Sequence, residues 1–318
     1  MPDKTTENQS CSFRTSIGGQ ALMEGILMRG VTKQAIVCRT ADGLVEKVEE
    51  LKFIKDRYPI LGLPFIRGIV TFLDSMIKGM KALMYSAELI PEDQQGEPDK
   101  LDKWIEEHFS AEKATKIIIA VALVLGLALS MFLFIFLPAF TVGLMPFVKG
   151  HPVLRNLLEG LVRIVILLVY MKLCSSMKDV QRVFAYHGAE HKTIFCYEHG
   201  NELTIENARK ESRFHPRCGT SFLLVVVAVS ILVNSVVVTD VTWKRMLFHL
   251  MLLPVVVGIS YEINRWCGRH DNTLSAVLSA PGKWLQKLTT YEPDDDMLEC
   301  AIRALELVIP EEKGSDAW

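Results

Sequence analysis

The sequence predicts a mainly α, polytopic membrane protein. It should have four transmembrane helices, a small α+β N-terminal cytosolic region and a helical cytosolic C-terminal tail. Three observations predict this. Half of the 318 residues are hydrophobic against 23% charged, and the mean hydropathy is +0.24, so the apolar residues must be concentrated in segments. Residues 117–137 carry no charge over 21 positions. Seven lysines and arginines gather in one long loop, 175–220. The same arithmetic excludes other classes. Thirty-five basic against 37 acidic residues leave a net charge of −2, so no nucleic-acid partner is expected. Seven cysteines without regular spacing argue for reduced thiols rather than a secreted disulfide framework.

The first region, 1–62, starts polar and without an apolar signal segment, and the chain up to about residue 110 is expected to stay cytosolic. Residues 17–30 read IGGQALMEGILMRG. Their glycines are expected in tight turns; a backbone-lined binding loop with Glu24 and Arg29 as its polar groups is the other reading. No phosphate-binding glycine motif supports a nucleotide site. Residues 34–40 and 44–53 read as two strands joined at Asp42-Gly43, a hairpin turn signal.

The second region, 63–114, begins with a helical pattern. Arg67, Asp74, Lys78 and Lys81 fall within roughly 60° of one face at about 100° per residue, amid Phe65, Phe72, Met76, Ile77 and Met80. Such a helix is expected to lie in the membrane interface, the preferred reading, or to pack against the transmembrane bundle. An acidic, breaker-rich linker over 91–99 and a short helix from Leu101 follow.

The third region, 115–264, holds the four expected spans: 117–137, 153–174, 221–238 and 246–263. The first matches a hydrocarbon core of about 30 Å at about 1.5 Å per residue. The second carries Arg155, Glu159 and Arg163 at i, i+4 and i+8, one face, where Glu159 can pair with either arginine and which should point into a bundle or polar cavity. The third is almost uniformly Leu, Val and Ile with Asn234 as its polar exception, and the fourth carries His249 and ends in Ser260, Tyr261 and Glu262. The basic loop 175–220 places both termini in the cytosol by the positive-inside rule, with Lys244 and Arg245 as counter-evidence. The last region, 265–318, is expected to add two cytosolic helices, over 281–288 and 294–308, the second opened by three aspartates that suit a helix N-terminus.

The chemistry concentrates in the loop 175–220. His187, Glu190 and His191 lie at i, i+3 and i+4, one face of a helix, in the order H-x-x-E-H. Two imidazoles one turn apart can hold one divalent metal, zinc by preference, and leave the carboxylate as general base. Glu262 is the favoured third ligand. His215 and Cys218 compete for that role, and together with Cys267 and His270 they offer a four-ligand structural alternative. Cys218, flanked by arginines, is also a nucleophile candidate that lacks an obvious base. Glu198, Glu202 and Glu206 read as a solvated loop.

IGGQALMEGILMRG, YHGAEHKTIFCYE, RFHPRCGTSF and KWLQKLTTYEPDDD together resemble the bacterial YqhQ-like family over about residues 16–307. That family comprises membrane proteins of unknown function, sometimes described as predicted metal-dependent enzymes. The resemblance implies a multi-pass protein of the bacterial cytoplasmic membrane with the architecture above, and it implies no substrate. The leading expectation is therefore a metal-binding membrane protein, with hydrolysis of a membrane-associated peptide or lipid at the cytosolic face. A non-catalytic scaffold or assembly factor is the alternative. A transporter using Arg155, Glu159, Arg163 and His249 is a third. The expected partners are the lipid bilayer and, in an oligomer, further copies or other membrane proteins.

Overall fold

Four short strands open the chain and form one antiparallel meander: β1 (Gly18–Leu22), β2 (Gly25–Arg29), β3 (Lys33–Thr40) and β4 (Gly43–Glu50), in that spatial order. The structure, a computed structural model, describes residues 13–52, 58–90, 111–239, 241–270, 272–312 and 314–317, without the side chains of 111–116 and 221. The linker 91–99 and the helix expected from Leu101 lie outside the described residues.

The expected hairpin is β3–β4, closed at Thr40↔Gly43 with Gly43 at φ 120°. The glycine-rich stretch before it is a second hairpin rather than a free loop. Its two-residue turn is Met23-Glu24, and Glu24 itself takes the left-handed conformation at φ 49°. Side chains alternate across the sheet, and both faces are covered. Ile26, Met28, Ala35 and Val37 join the larger core, whereas Leu22, Leu27, Ile36 and Cys38 pack with Ala82. Burial on both faces is what makes so small a sheet stable.

The remaining described residues are mainly helical: α1 (Ile66–Glu88), α2 (Ala111–Met131), α3 (Leu137–Gly143), α4 (Pro152–Cys174), α5 (Lys178–Glu198), α6 (Ile205–Lys210), α7 (Gly219–Asn234), α8 (Thr242–Arg269), α9 (Thr273–Thr289) and α10 (Asp295–Glu306). A π-helical turn, Phe132–Phe136, links α2 to α3. The C-terminal pair is longer than expected at its first member, because Pro281 sits inside α9. Asp294 caps α10 by accepting from the Met297 N–H. The chain divides into two units. One contains Met1–Ile90, Tyr170–Val229 and Pro254–Trp318; the other contains Pro91–Val169 and Ser230–Leu253.

In the first unit the sheet lies between α1 on one face and α5 with α10 on the other. The inner face of α1 is built of small residues, Gly68, Gly79, Ala82 and Ser86. A Cβ on Gly79 would sit 2.2 Å from the Gln20 side chain, so glycine sets the approach. The outer face keeps Leu73, Met76, Ile77 and Met80 at least 41% exposed. That is the amphipathic character the sequence predicts, with Asp74 and Lys78 paired at 2.8 Å along it.

In the second unit, Glu159 is ringed by cations. It accepts from Arg155 Nε at 3.1 Å and Arg245 Nε at 2.8 Å, with Arg163 at 4.0 Å. Arg163 also bonds the Phe134 carbonyl and His249 Nδ1. Arg245 is fully buried in this cluster, so it is not the loop charge that counted against the expected orientation.

Among the described residues, two helices are long and apolar enough to cross a membrane: Ile117–Gly143 and Thr242–Arg269. The expected spans at 153–174 and 221–238 are helical but do not meet that standard. The first carries Arg155, Glu159, Arg163 and Lys172, and the helix of the second ends at Asn234 rather than 238.

Candidate metal centre

Helix α5 carries the H-x-x-E-H residues on the face it buries. Its second half, from Ala185 to Glu198, is almost wholly inaccessible. Gly188 lets the segment after α9 pass directly against this helix, since a Cβ there would fall 2.1 Å from the Tyr291 carbonyl oxygen. That passage brings the Thr289 carbonyl 2.8 Å from His187 Nδ1. We therefore expect Gly188→Ala to push the segment away at a cost of about 1–3 kcal/mol, read as a lowered thermal transition of the purified protein together with weaker metal retention. A variant as stable and as metal-loaded as wild type would refute this packing role.

The second imidazole is held in the same manner. His191 Nδ1 lies 2.6 Å from the Arg213 carbonyl. A carbonyl can only accept, so both Nδ1 atoms carry a proton, which leaves each Nε2 as the atom that would turn a lone pair to a metal once His187 gives up its second proton. His187 Nε2 is 3.1 Å from Cys218 Sγ, and ligand atoms of His187, His191 and Cys218 all lie within 4.8 Å of one another. A backbone carbonyl bound to the far ring nitrogen orients metal-binding histidines in this way. His191 Nε2 is buried without a hydrogen-bond partner, as is Glu190 Oε2. A buried polar atom left unsatisfied is costly, and a cation among these donors would satisfy it. Two imidazoles and a thiolate form a donor set suited to zinc, with a position left open.

Glu190 is fixed by its other oxygen, which accepts from the Gly19 N–H at 3.0 Å. An added Cβ on Gly19 would fall 2.9 Å from the Glu190 carboxyl carbon, so β1 meets α5 at a residue without a side chain. Burial pushes the Glu190 carboxyl up from its ordinary value, against the pull of the two histidines. Burial works against the charged form of both His187 and Cys218, yet each sustains the other. His187 is raised to about 9 by the neighbouring thiolate, and the Cys218 thiol is held well below its usual value by His187 and His191.

The other residues singled out in the sequence do not join the His187/His191/Cys218 group, although His215 and Arg29 line the same cavity. Glu262 was expected to complete the metal shell. Instead its carboxylate grips Arg67, with Nε at 2.7 Å, and accepts from the Phe65 N–H. His215 sits near His191 but spends both ring nitrogens on other partners: Nε2 faces Glu198 at 3.4 Å, and Nδ1 accepts from the Arg217 N–H. Burial holds it neutral, lowered to about 4. Cys267 and His270 do not join Cys218; His270 Nδ1 bonds the Trp266 carbonyl in its own helix. Glu24 forms a double ion pair with Arg182, one turn before the motif on α5. Arg29 lines the cavity that also contains Glu190, His191 and Cys218. Glu159 and Arg163 belong to the cluster of the second unit.

Glu198 belongs to the site although its local sequence marks it as solvated. Expected in a solvated loop, it is fully buried and binds Arg217 with both oxygens, His215, and the Thr15 N–H at 2.9 Å. It ties the loop bearing Cys218 to α5 and to the N-terminal segment. Its position seven residues after His191, on the buried stripe of one helix, was the available signal.

Fold and site together define a mainly helical protein with an N-terminal antiparallel sheet and a His/His/Cys group beside a buried glutamate. The chain belongs to a family described as a protein of unknown function (DUF1385), which matches residues 63–311. It is 34% identical over 292 residues to the uncharacterized protein YqhQ of Bacillus subtilis (strain 168), covering 90% of each chain. No solved structure matches. The YqhQ-like resemblance of the motifs therefore holds across nearly the full length.

Proposed function

We propose that the protein is a membrane metalloprotein that performs hydrolysis at the cytosolic bilayer surface, with His187, His191 and Cys218 holding a divalent metal, zinc by the character of the donors. One observation carries this reading: both imidazoles are locked through Nδ1 to backbone carbonyls, so that their Nε2 atoms converge with one thiolate. A metal bound there would supply Lewis-acid polarisation of a carbonyl or phosphoryl oxygen. Glu190 acts as general base. Gly19 fixes one oxygen, and the free Oε2 takes a proton from the attacking water and returns it to the leaving group. Burial raises its basicity above that of an ordinary carboxylate, which suits a proton acceptor.

The proposal includes a four-span topology in the bacterial cytoplasmic membrane with both termini cytosolic. The two long apolar helices support it, and the buried charges of α4 fit a helix facing other protein. The bilayer is the proposed partner, together with further copies of the chain or other membrane proteins.

Glu190→Gln tests the catalytic part. The variant should retain wild-type metal stoichiometry, measured by mass spectrometry of the purified protein, and fail to complement a deletion strain. Full complementation would instead favour a non-catalytic scaffold with a structural metal knot. A second catalytic reading rests on the His187–Cys218 contact at 3.1 Å, the imidazole–thiolate pair of a cysteine nucleophile. A metal-free wild-type protein inactivated by iodoacetamide at Cys218 would favour that one.

A further inference from the structure

We infer that the cavity beside the metal centre receives a phosphate-bearing lipid, and that Arg29 is the residue that holds the phosphate. The inference deepens the hydrolase reading and rests on it for the fate of the lipid, but not for its binding.

The cavity has a volume of about 530 Å³ and is lined by Gly19, Arg29, Ser75, Glu190, His191 and Cys218 among others. That is room for a headgroup and part of a chain. Arg29 ends β2 on the sheet face that packs toward α1. Its Nη1 donates to the Ser75 hydroxyl at 3.0 Å, and it forms no ion pair among the described residues. The nearby Asp74 is already engaged by Lys78 at 2.8 Å. A half-buried guanidinium whose hydrogen-bond partner is neutral is suited to an anion, and its planar fork matches phosphate.

The wall of the cavity indicates what the anion is attached to. Ser75 belongs to α1, the helix whose outer face exposes Leu73, Met76, Ile77 and Met80. A single helix thus separates the polar chamber from an apolar surface, and Phe72 on that helix meets Phe222 of α7, with ring centroids 6.2 Å apart. An amphiphile fits this arrangement, its phosphate at Arg29 and its acyl chain along α1.

An extended peptide fits less well. β1 is the edge of the sheet, but the Gly19 N–H is taken by Glu190 and the Ile17 N–H by the Thr15 hydroxyl. Consecutive donors for an added strand are therefore already spent.

The test uses the full-length protein in mild detergent, with binding followed by native mass spectrometry. The probes are dioleoyl phosphatidic acid, dioleoylglycerol and inorganic phosphate. Wild type should bind phosphatidic acid about tenfold or more tighter than either of the others. Arg29→Gln should lose about 10–100-fold for phosphatidic acid, leave dioleoylglycerol unchanged and keep the wild-type metal content. Arg29→Lys, which keeps the charge without the fork, should fall between. Equal binding of phosphatidic acid and dioleoylglycerol by wild type would overturn the proposal. So would inorganic phosphate binding as tightly as the lipid, wild-type affinity in both Arg29 variants, or displacement of the lipid by an equimolar extended peptide. A wild-type protein without metal that still shows the Arg29-dependent preference would remove the hydrolase reading and leave this one standing.

Discussion

Replacing His187 and His191 together by alanine is expected to reduce bound metal from about one equivalent to background. In the proposed centre each histidine would donate from Nε2, because its Nδ1 is committed to a carbonyl, and neither could be replaced by a swing of the other ring. If a structural zinc site contributes about 10–16 kcal/mol over four ligands, one ligand is worth roughly 3 kcal/mol, or about 100-fold in affinity. Single variants His187→Ala and His191→Ala should therefore weaken binding by about that factor. Cys218→Ser, which exchanges a thiolate for a poorly ligating hydroxyl, should do the same. Competition with a chromophoric chelator gives the affinities, and elemental analysis gives the stoichiometry. A wild-type protein purified from zinc-supplemented cells without metal, and indistinguishable from the double variant, would remove the metal centre.

Glu198→Gln is expected to destabilise the unit that carries the site by about 3 kcal/mol, because it leaves the largely covered Arg217 guanidinium, 11% exposed, without its counter-charge. Burial acts to raise the Glu198 carboxyl, but His215 and Arg217 outweigh it and hold the group below the ordinary carboxylate value. A depressed value in the folded state contributes stability that is complete above the unfolded value and is lost as the pH falls through the folded one. Wild type should thus lose this contribution on acidification below about pH 4, whereas the Gln variant should show no such dependence from this site. Denaturant unfolding in detergent between pH 3 and 7 measures both. Coincident curves for the two proteins would show that the clamp is not a source of stability. Because the same clamp positions Cys218, the variant should also bind metal more weakly.

Much of the candidate site was legible because it is local. The i, i+3, i+4 spacing places His187, Glu190 and His191 on one helical face whatever surrounds them. Asp42-Gly43 marks a hairpin on its own terms. The first hairpin is not legible in the sequence because its left-handed residue is Glu24 rather than a glycine, so the turn carries no conventional signal. Glycines 19 and 25, expected in turns, are sites of close approach instead: a Cβ on Gly25 would fall 2.6 Å from Cys38 Sγ. Glu262 was assigned to the metal by its place at a membrane end, yet its partner is Arg67, 195 residues earlier in the chain. Arg245 looked like a loop charge for the same reason, although it neutralises Glu159.

The sequence by itself determined the helical periodicities, the concentration of apolar residues, the family, and the face that gathers two histidines and a glutamate. All of these follow from spacing along one segment. The tertiary structure decided which of His215, Cys218 and Glu262 meets that face, which ring nitrogen is free, and that β1 reaches Glu190 through Gly19. Those outcomes depend on where distant backbone carbonyls and amides come to rest once each has found a hydrogen-bond partner. Long-range packing satisfies that requirement, and no local pattern encodes it.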